Sequence, residues 1–173
     1  MTTVFVESPP PVPPEVDLEY LHKNALWLIM DPWDPHPWPH DVKADPKINE
    51  RSHAMVEKIV DYLPNLAHVK LSCPKKFPVN NLLSHIENFY NETPGVPRAD
   101  QQIITYMDNN NLKDIVYLGF HLGRCILMKE SGAIHMGKYR RYRLWMKQDL
   151  TGHLITDDYD AMLNESKRWM NII

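Results

Sequence analysis

Two side chains that could carry acyl-transfer chemistry each follow a predicted buried strand. Asp31 directly follows the apolar run 25–30, and Cys125 comes six residues after Gly119, which ends a second apolar run. A cysteine attacks as its thiolate, and backbone N–H groups at the start of a helix favour that anion. Asp31 could accept the thiol proton, and the N–H groups of residues 120–125 could hold an oxyanion. These residues predict attack on a carbonyl group, a thioester intermediate and its hydrolysis.

Both residues also have a purely structural interpretation. A free cysteine is among the most buried residue types and often serves as a small apolar side chain, which is the alternative for Cys125. An aspartate before a proline, as in Asp31-Pro32, often does no more than end a strand. The two residues alone leave both interpretations open.

The alternation of strand-like and helix-like segments predicts an α/β fold. Short apolar runs that end at proline or glycine predict strands, and apolar residues three and four positions apart predict helices. The predicted strands are 25–30, 67–72, 115–118 and 142–146, and the predicted helices are 47–63, 79–90, 99–111, 123–131 and 157–170. We expect a three-layer α/β/α sandwich with a mostly parallel central sheet, whose working site lies at the carboxyl ends of the strands.

The glycine–cysteine segment resembles the nucleophile segment of the isochorismatase-like cysteine hydrolases. In that family a buried strand ends in glycine and a cysteine follows six residues later, as Cys125 follows Gly119. Residues 28–34 (LIMDPWD) are similar to the family's first-strand motif D-x-Q-x-D, with tryptophan in place of glutamine. The resemblance covers residues 24–170. It implies a Rossmann-like sandwich, an oligomer, and a hydrolase of small amides or related carbonyl compounds with Cys125 as nucleophile and Asp31 as general base.

The resemblance further implies a lysine that completes an Asp–Lys–Cys triad. In the family this lysine lies upstream of the helix that precedes the nucleophile strand, and the matching stretch here, 89–98, contains no lysine. Arg98 is the only cation in that stretch, and it could hold a carboxylate or a carbonyl oxygen without giving up its proton. Lys75 and Lys76 could reach the site only if their loop folds over it.

The loops after the first strand and the nucleophile strand are predicted to line the substrate pocket. The predicted lining residues are Trp33, Trp38, Phe120, His121 and Leu122. The same first loop carries Asp34, His36 and His40, whose oxygen and nitrogen atoms suit zinc or another divalent ion. Prolines interleave with them, so the alternative is a rigid loop that binds no metal. We expect no cofactor.

Prolines mark a separate N-terminal segment. Ten of the 15 prolines fall in the first 46 residues, and the group around residues 9–14 predicts a polyproline II arm that cannot form a core by itself. We therefore divide the chain into a Pro-rich arm, 1–23, and a single α/β domain, 24–173. The arm, through residues 1–16, is expected to dock on its own domain or on a neighbouring subunit.

The charge balance, the apolar runs and the cysteine count indicate which partners and which location to expect. Nineteen basic and 22 acidic residues give a net charge of −3, which provides no general attraction to nucleic acid or to an anionic membrane. The basic and aromatic run 138–147 could bind single-stranded nucleic acid, but it also suits the edge of a sheet. No apolar run is long enough to span a membrane and the N-terminus lacks a secretory pattern. Two cysteines are too few for a disulfide framework, so we expect a cytoplasmic protein.

A second class of function competes with the hydrolase. The proline arm, the absence of the family's lysine and a short middle segment favour a non-catalytic descendant of the same fold. Such a protein would serve as a binding or assembly module through its N-terminal arm. A small-molecule substrate is expected only if the chain is active.

Overall fold

The computed structural model describes residues 10–11, 16–36, 47–90, 94–95, 97–153 and 159–173. The helices are α1 (Leu18–Asn24), α2 (Ile48–Tyr62), α3 (Ala99–Asn109), α4 (Cys125–Met128), α5 (Ala133–Gly137) and α6 (Tyr159–Lys167). The strands are β1 (Ala25–Met30), β2 (His68–Ser72), β3 (Asp114–Phe120), β4 (Arg143–Gly152) and β5 (Asn171–Ile172). A short 3-10 turn, Leu63–Asn65, follows α2.

The five strands form one parallel sheet in the order β2-β1-β3-β4-β5. Strands β1 and β3 are buried along their whole length, which explains their continuous apolar sequences. The chain passes from β1 to β2 on one side and then to β3 on the other, so β1 and β3 flank the switch point of the sheet. Their register pairs Met30 with Gly119. The residues that follow these two strands therefore meet at one edge of the sheet.

Side chains of the sheet alternate between two apolar layers. Trp27 and Ile29 point into the layer that contains Val56 and Ile59 of α2. Leu26, Leu28 and Met30 point into the opposite layer, which is completed by residues of α3, α4 and α5. The structure confirms the predicted three-layer sandwich with a parallel sheet.

The predicted helix at 79–90 is wrong. Its apolar side chains have helical spacing, but the segment forms successive turns, and its end pairs with β2 instead. Leu71 N–H donates to the Glu87 carbonyl (2.8 Å), and Phe89 N–H donates to the Leu71 carbonyl (2.9 Å). The Asn88 side chain also binds the backbone of Cys73: its Oδ1 accepts from the Cys73 N–H (3.1 Å), and its Nδ2 donates to the Cys73 carbonyl (2.7 Å). Bonding to the edge of β2 thus replaces the hydrogen bonds that a helix would make.

The predicted helix at 123–131 is shorter than expected. α4 ends at Met128 because Lys129 adopts an extended backbone with φ −68° and ψ 163°. Gly132 then brings the chain back against α4, where a Cβ atom would lie 2.7 Å from the Leu127 carbonyl oxygen. The chain turns sharply here and starts α5. This turn aims the Lys129 side chain back towards the end of β1.

The N-terminal segment is partly helical and is tied to the sheet. α1 forms the end of the segment that the sequence assigned to the arm, and its Leu21 carbonyl accepts a hydrogen bond from Trp27 Nε1 (2.9 Å). Arg143 Nη1 donates to the Pro11 carbonyl (2.9 Å), so this part of the arm lies on its own domain. Most of residues 1–16 lie outside the described residues. No helix of the described chain is long and apolar enough to cross a membrane.

Candidate active site

Asp31 is held at the edge of the sheet by its backbone. It is the first residue after β1, it is completely buried, and its backbone is left-handed with φ +47°, a region that aspartate enters more readily than most residues. Its carbonyl oxygen accepts hydrogen bonds from the Trp33 N–H (2.8 Å) and from His36 Nε2 (3.2 Å). These bonds fix the turn that follows β1 and with it the position of the carboxylate.

Gly119 allows β3 to approach this turn. Its φ is +94°, and a Cβ atom placed on it would lie 2.4 Å from the Met30 carbonyl oxygen. Any other residue would push the ends of β1 and β3 apart. The glycine that marks the spacing to Cys125 in the sequence motif therefore has a direct steric role beside Asp31.

Lys129, which the sequence motifs do not single out, binds the Asp31 carboxylate. Its Nζ donates to Asp31 Oδ1 in an ion pair. The lysine side chain is 18% exposed, whereas the aspartate side chain is fully buried. The ammonium group also lies over the Trp33 ring, 4.9 Å from its centroid. Lys129 follows Cys125 by four positions but lies just beyond α4, so no helical spacing in the sequence points to its contact with Asp31.

Cys125 begins α4 and is the third member of the cluster. Its thiol lies close enough to the Asp31 carboxyl group for each to influence the pKa of the other, and the backbone of His121 opposes the rise in the pKa of the thiol. Cys125 is partly exposed, whereas Cys73 is fully buried, and both are free cysteines. Asp31 Oδ2 is buried, and no N–H or O–H group of the described chain donates to it. That oxygen therefore keeps its capacity to accept a hydrogen bond.

The electrostatics of the cluster keep Cys125 protonated at rest. Burial, followed by the negative charge of Asp31, raises the pKa of the Cys125 thiol to about 12, although Lys129 opposes this. Burial also raises the pKa of Asp31, and the charge and hydrogen bond of Lys129 oppose that rise. The sequence-based expectation of a thiolate stabilised by a helix start is not met, since α4 has only four residues.

The residues of the nucleophile loop have different surroundings. His121 is buried beside His36, with ring centroids 4.6 Å apart, and burial together with nearby positive groups lowers the pKa of His121 to about 3. It is therefore neutral at physiological pH. Phe120 is the last residue of β3 and also packs on His36. Leu122 points into the apolar layer beneath α4. Trp38 lies outside the described residues.

Comparisons by sequence and by structure give different results. No sequence profile of a known protein family matches the chain, and no curated protein matches it. The fold matches an isochorismatase-like hydrolase from Alkaliphilus metalliredigens with a TM-score of 0.58 and 11% identity, covering 88% of this chain and 92% of that one. It matches the YcaC gene product of Escherichia coli, described as an octameric hydrolase of unknown specificity, with a TM-score of 0.57 and 11% identity over 94% and 79%. It also matches the pyrazinamidase of Pyrococcus horikoshii in complex with zinc, with a TM-score of 0.58 and 13% identity over 87% and 98%.

The chain has the isochorismatase-like hydrolase fold. Within this fold Arg98 lies at the start of α3, where its guanidinium pairs with Asp100 Oδ2 (2.8 Å) and lies 3.8 Å from Glu130 Oε2. Its side chain is 63% exposed. Lys75 and Lys76 are exposed in the loop after β2. The cation that contacts the Asp31 carboxylate is instead Lys129.

Two of the three candidate metal ligands, Asp34 and His36, contact other groups. Asp34 Oδ1 lies 2.8 Å from His53 Nε2, and its Oδ2 accepts from Asn80 Nδ2 at 3.4 Å. His36 bonds the Asp31 carbonyl, and His40 lies outside the described residues. Among the residues that the structure describes, no group of three or more His, Cys, Asp or Glu side chains is placed to hold a metal ion.

Proposed function

We propose that this protein is a cysteine hydrolase of the isochorismatase-like family that acts on a small amide or a related carbonyl compound. The observation that carries the proposal is the cluster of Asp31, Lys129 and Cys125 at the switch point of the sheet. It combines a nucleophile, a base and a cation, the three groups that the sequence resemblance implies. One structural neighbour is named a pyrazinamidase, which is consistent with an amide substrate. The proposed chemistry uses groups of this chain, the substrate and water.

Acylation of Cys125 is the first half of the proposed reaction. Asp31 takes the thiol proton as the sulfur attacks the carbonyl carbon of the substrate. The N–H groups of Leu122 and Arg124 already donate to the Gly152 and His121 carbonyls, both at 3.1 Å. This leaves the N–H groups of Gly123 and Cys125 as the oxyanion donors that we propose. The tetrahedral intermediate collapses to a thioester, and the leaving amine departs with the proton from Asp31.

Hydrolysis of the thioester completes the cycle. A water molecule attacks the thioester carbonyl while Asp31 accepts one of its protons. The carbon–sulfur bond breaks, the acid product leaves, and Asp31 returns its proton to the sulfur. The same carboxylate thus serves as base and then as acid in each half of the reaction.

Lys129 keeps Asp31 able to act as a base. A carboxylate with no exposed surface prefers its neutral form, because burial penalises the charge. The ammonium of Lys129 stabilises the carboxylate and opposes that preference. Without Lys129, the pKa of Asp31 would rise further, and less of the carboxyl group would be ionised to remove the proton of Cys125.

Turnover of a panel of small primary amides tests the proposal. We expect ammonia release by the wild-type protein for at least one amide and at least a hundredfold slower release by Cys125→Ala, of the order by which general base and nucleophile contribute to such reactions. Cys73→Ala is the matched control, since it removes a buried thiol of the same chain, and we expect it to retain activity. Equal activity of Cys125→Ala and the wild type would contradict the proposal.

A second candidate function is an assembly module, and an octameric structural neighbour is consistent with it. The hydrogen bond from Arg143 to the Pro11 carbonyl holds that part of the proline arm on its own domain at the start of β4. A structural neighbour is described as octameric, and we propose that this chain also forms an oligomer with help from the arm. Light scattering on a variant without residues 1–16 tests this. If the variant forms an oligomer with the same number of subunits as the wild type, the arm does not contribute to assembly.

A further inference from the structure

Three buried hydroxyl groups meet beneath the loop that carries Lys129. Ser72 Oγ and Ser131 Oγ are 2.6 Å apart, and the Tyr117 hydroxyl donates to the Ser131 carbonyl at 2.7 Å. All three residues are completely buried. Ser72 is the last residue of β2 and Tyr117 lies in the middle of β3, so the cluster joins two strands to one residue of the loop.

One member of the cluster, Ser131, lies close to Lys129 in the chain. Ser131 follows Lys129 by two positions, and between them the Glu130 carboxylate accepts the Ala99 N–H at 2.8 Å. On the other side, α4 fixes the chain from Cys125 to Met128. The extended residue Lys129 is thus held between two anchored segments. Its long side chain would otherwise have many conformations, and loss of that freedom is one cost of the ion pair.

An apolar core would not need these hydroxyl groups. Pairs of buried polar groups contribute little net stability compared with apolar side chains of the same shape, whereas each one left alone is costly. Hydrogen bonds are directional, however, so these bonds fix the position of Ser131 relative to β2 and β3. The effect of the cluster is therefore to position the loop.

We propose that Tyr117, Ser131 and Ser72 are positioning residues that hold Lys129 against Asp31. The inference rests on the proposed function, because it assigns the cluster to the same site. It concerns the contact between Lys129 and Asp31, which can be measured without any substrate.

Chemical labelling of lysine amines tests the proposal. An amine-reactive acylating reagent, followed by peptide mass spectrometry, gives the labelling rate of Lys129 relative to the exposed Lys138 of the same molecule. In Tyr117→Phe, which removes one oxygen atom, we expect this ratio to rise about fivefold, as loss of one hydrogen bond would allow. Asp31→Asn sets the upper limit, because it removes the partner of Lys129. An unchanged ratio in Tyr117→Phe would overturn the proposal.

A double variant separates a local effect on Lys129 from a general loss of stability. Ser72→Ala/Ser131→Ala removes both hydroxyls of the pair and leaves neither without a partner, so we expect a wild-type unfolding temperature within a few degrees and a raised Lys129 ratio. If labelling of Lys129 and of Lys147, whose side chain is also mostly buried, rises together relative to Lys138, the cluster serves only global stability and the proposal fails.

The pH profile of turnover gives a second readout. When Lys129 moves away, the pKa of Asp31 rises, so the acidic limb of kcat/KM should shift to higher pH in Tyr117→Phe. A lower rate with an unshifted limb would contradict the positioning role. If the wild type hydrolyses no amide, the hydrolase proposal fails. The labelling ratio of Lys129 still tests the positioning role of the cluster in that case.

Discussion

Substitution of Lys129 by methionine should make the stability of the protein strongly dependent on pH. The change keeps the length of the side chain but removes the charge that opposes the burial of Asp31. The variant can avoid a buried charge only by protonating Asp31. Relative to the wild type, Lys129→Met therefore loses stability as pH rises above the unfolded-state pKa of the carboxyl group.

The structure sets the size of this loss. Protonating a carboxyl group with an ordinary pKa of about 3.8 costs at most about 4 kcal/mol at pH 7 and about 1.6 kcal/mol at pH 5. The wild type already bears part of this cost, because burial raises the pKa of Asp31 even beside Lys129. We expect the variant to be less stable than the wild type by about 3 kcal/mol at pH 7 and by about 1 kcal/mol at pH 5.

Urea unfolding at pH 5, 6, 7 and 8, followed by tryptophan fluorescence, measures these differences. Lys76→Met is the matched control, since Lys76 is exposed, and we expect a change within about 0.5 kcal/mol at every pH. Asp31→Asn/Lys129→Met removes both charges and should recover most of the stability at pH 7. A loss in Lys129→Met that is the same at pH 5 and pH 8 would refute the reasoning, because the destabilisation would then not come from Asp31.

Three further substitutions test separate parts of the structure. Gly119→Ala should destabilise the fold by roughly 3 kcal/mol in urea unfolding, because its Cβ would lie 2.4 Å from the Met30 carbonyl oxygen; a neutral result would contradict the close approach. Burial alone would raise the pKa of Asp100, but its hydrogen bonds lower it to about 2. Asp100 therefore stabilises the fold above pH 4 and loses that effect as pH falls towards 2, so Asp100→Asn should cost about 2 kcal/mol at pH 7 and nearly nothing at pH 2; a constant cost would exclude this ionisation. Arg143→Met should cost about 3 kcal/mol, because it leaves the buried Asp114 carboxylate without its bidentate partner, and a loss below 1 kcal/mol would count against that ion pair.

Residues with strong local patterns could be predicted from the sequence. The apolar runs of β1 and β3 are buried on both faces, so the sequence alone identifies them. The place of Asp31 at the carboxyl edge follows from the rule for parallel sheets. Segment 79–90 could not be predicted, because its apolar spacing is helical while its hydrogen bonds go to the edge of β2. Strand β5 has only two residues, too few for a pattern.

The site was predicted in part, and the missing part depends on tertiary contacts. Asp31 and Cys125 lie close enough to influence each other's pKa. Lys129 was missed because the family's order places the lysine before the nucleophile strand, whereas Lys129 follows Cys125. Its contact with Asp31 requires α4 to stop after one turn, and that stop comes from the backbone of Lys129 and the close approach of Gly132. The raised pKa of the Cys125 thiol likewise comes from burial, which the spacing of residues does not reveal.

Trapping an acylated enzyme tests the central claim most directly. The protein is mixed with a small activated ester, such as 4-nitrophenyl acetate, quenched in acid within seconds and mapped by peptide mass spectrometry. The account predicts an acetyl group on Cys125 and none on Cys73, with less acetylation of Cys125 in Lys129→Met at neutral pH. An acetyl group on Cys125 no more frequent in the folded protein than in protein unfolded in urea would contradict a nucleophile activated by Asp31 and Lys129.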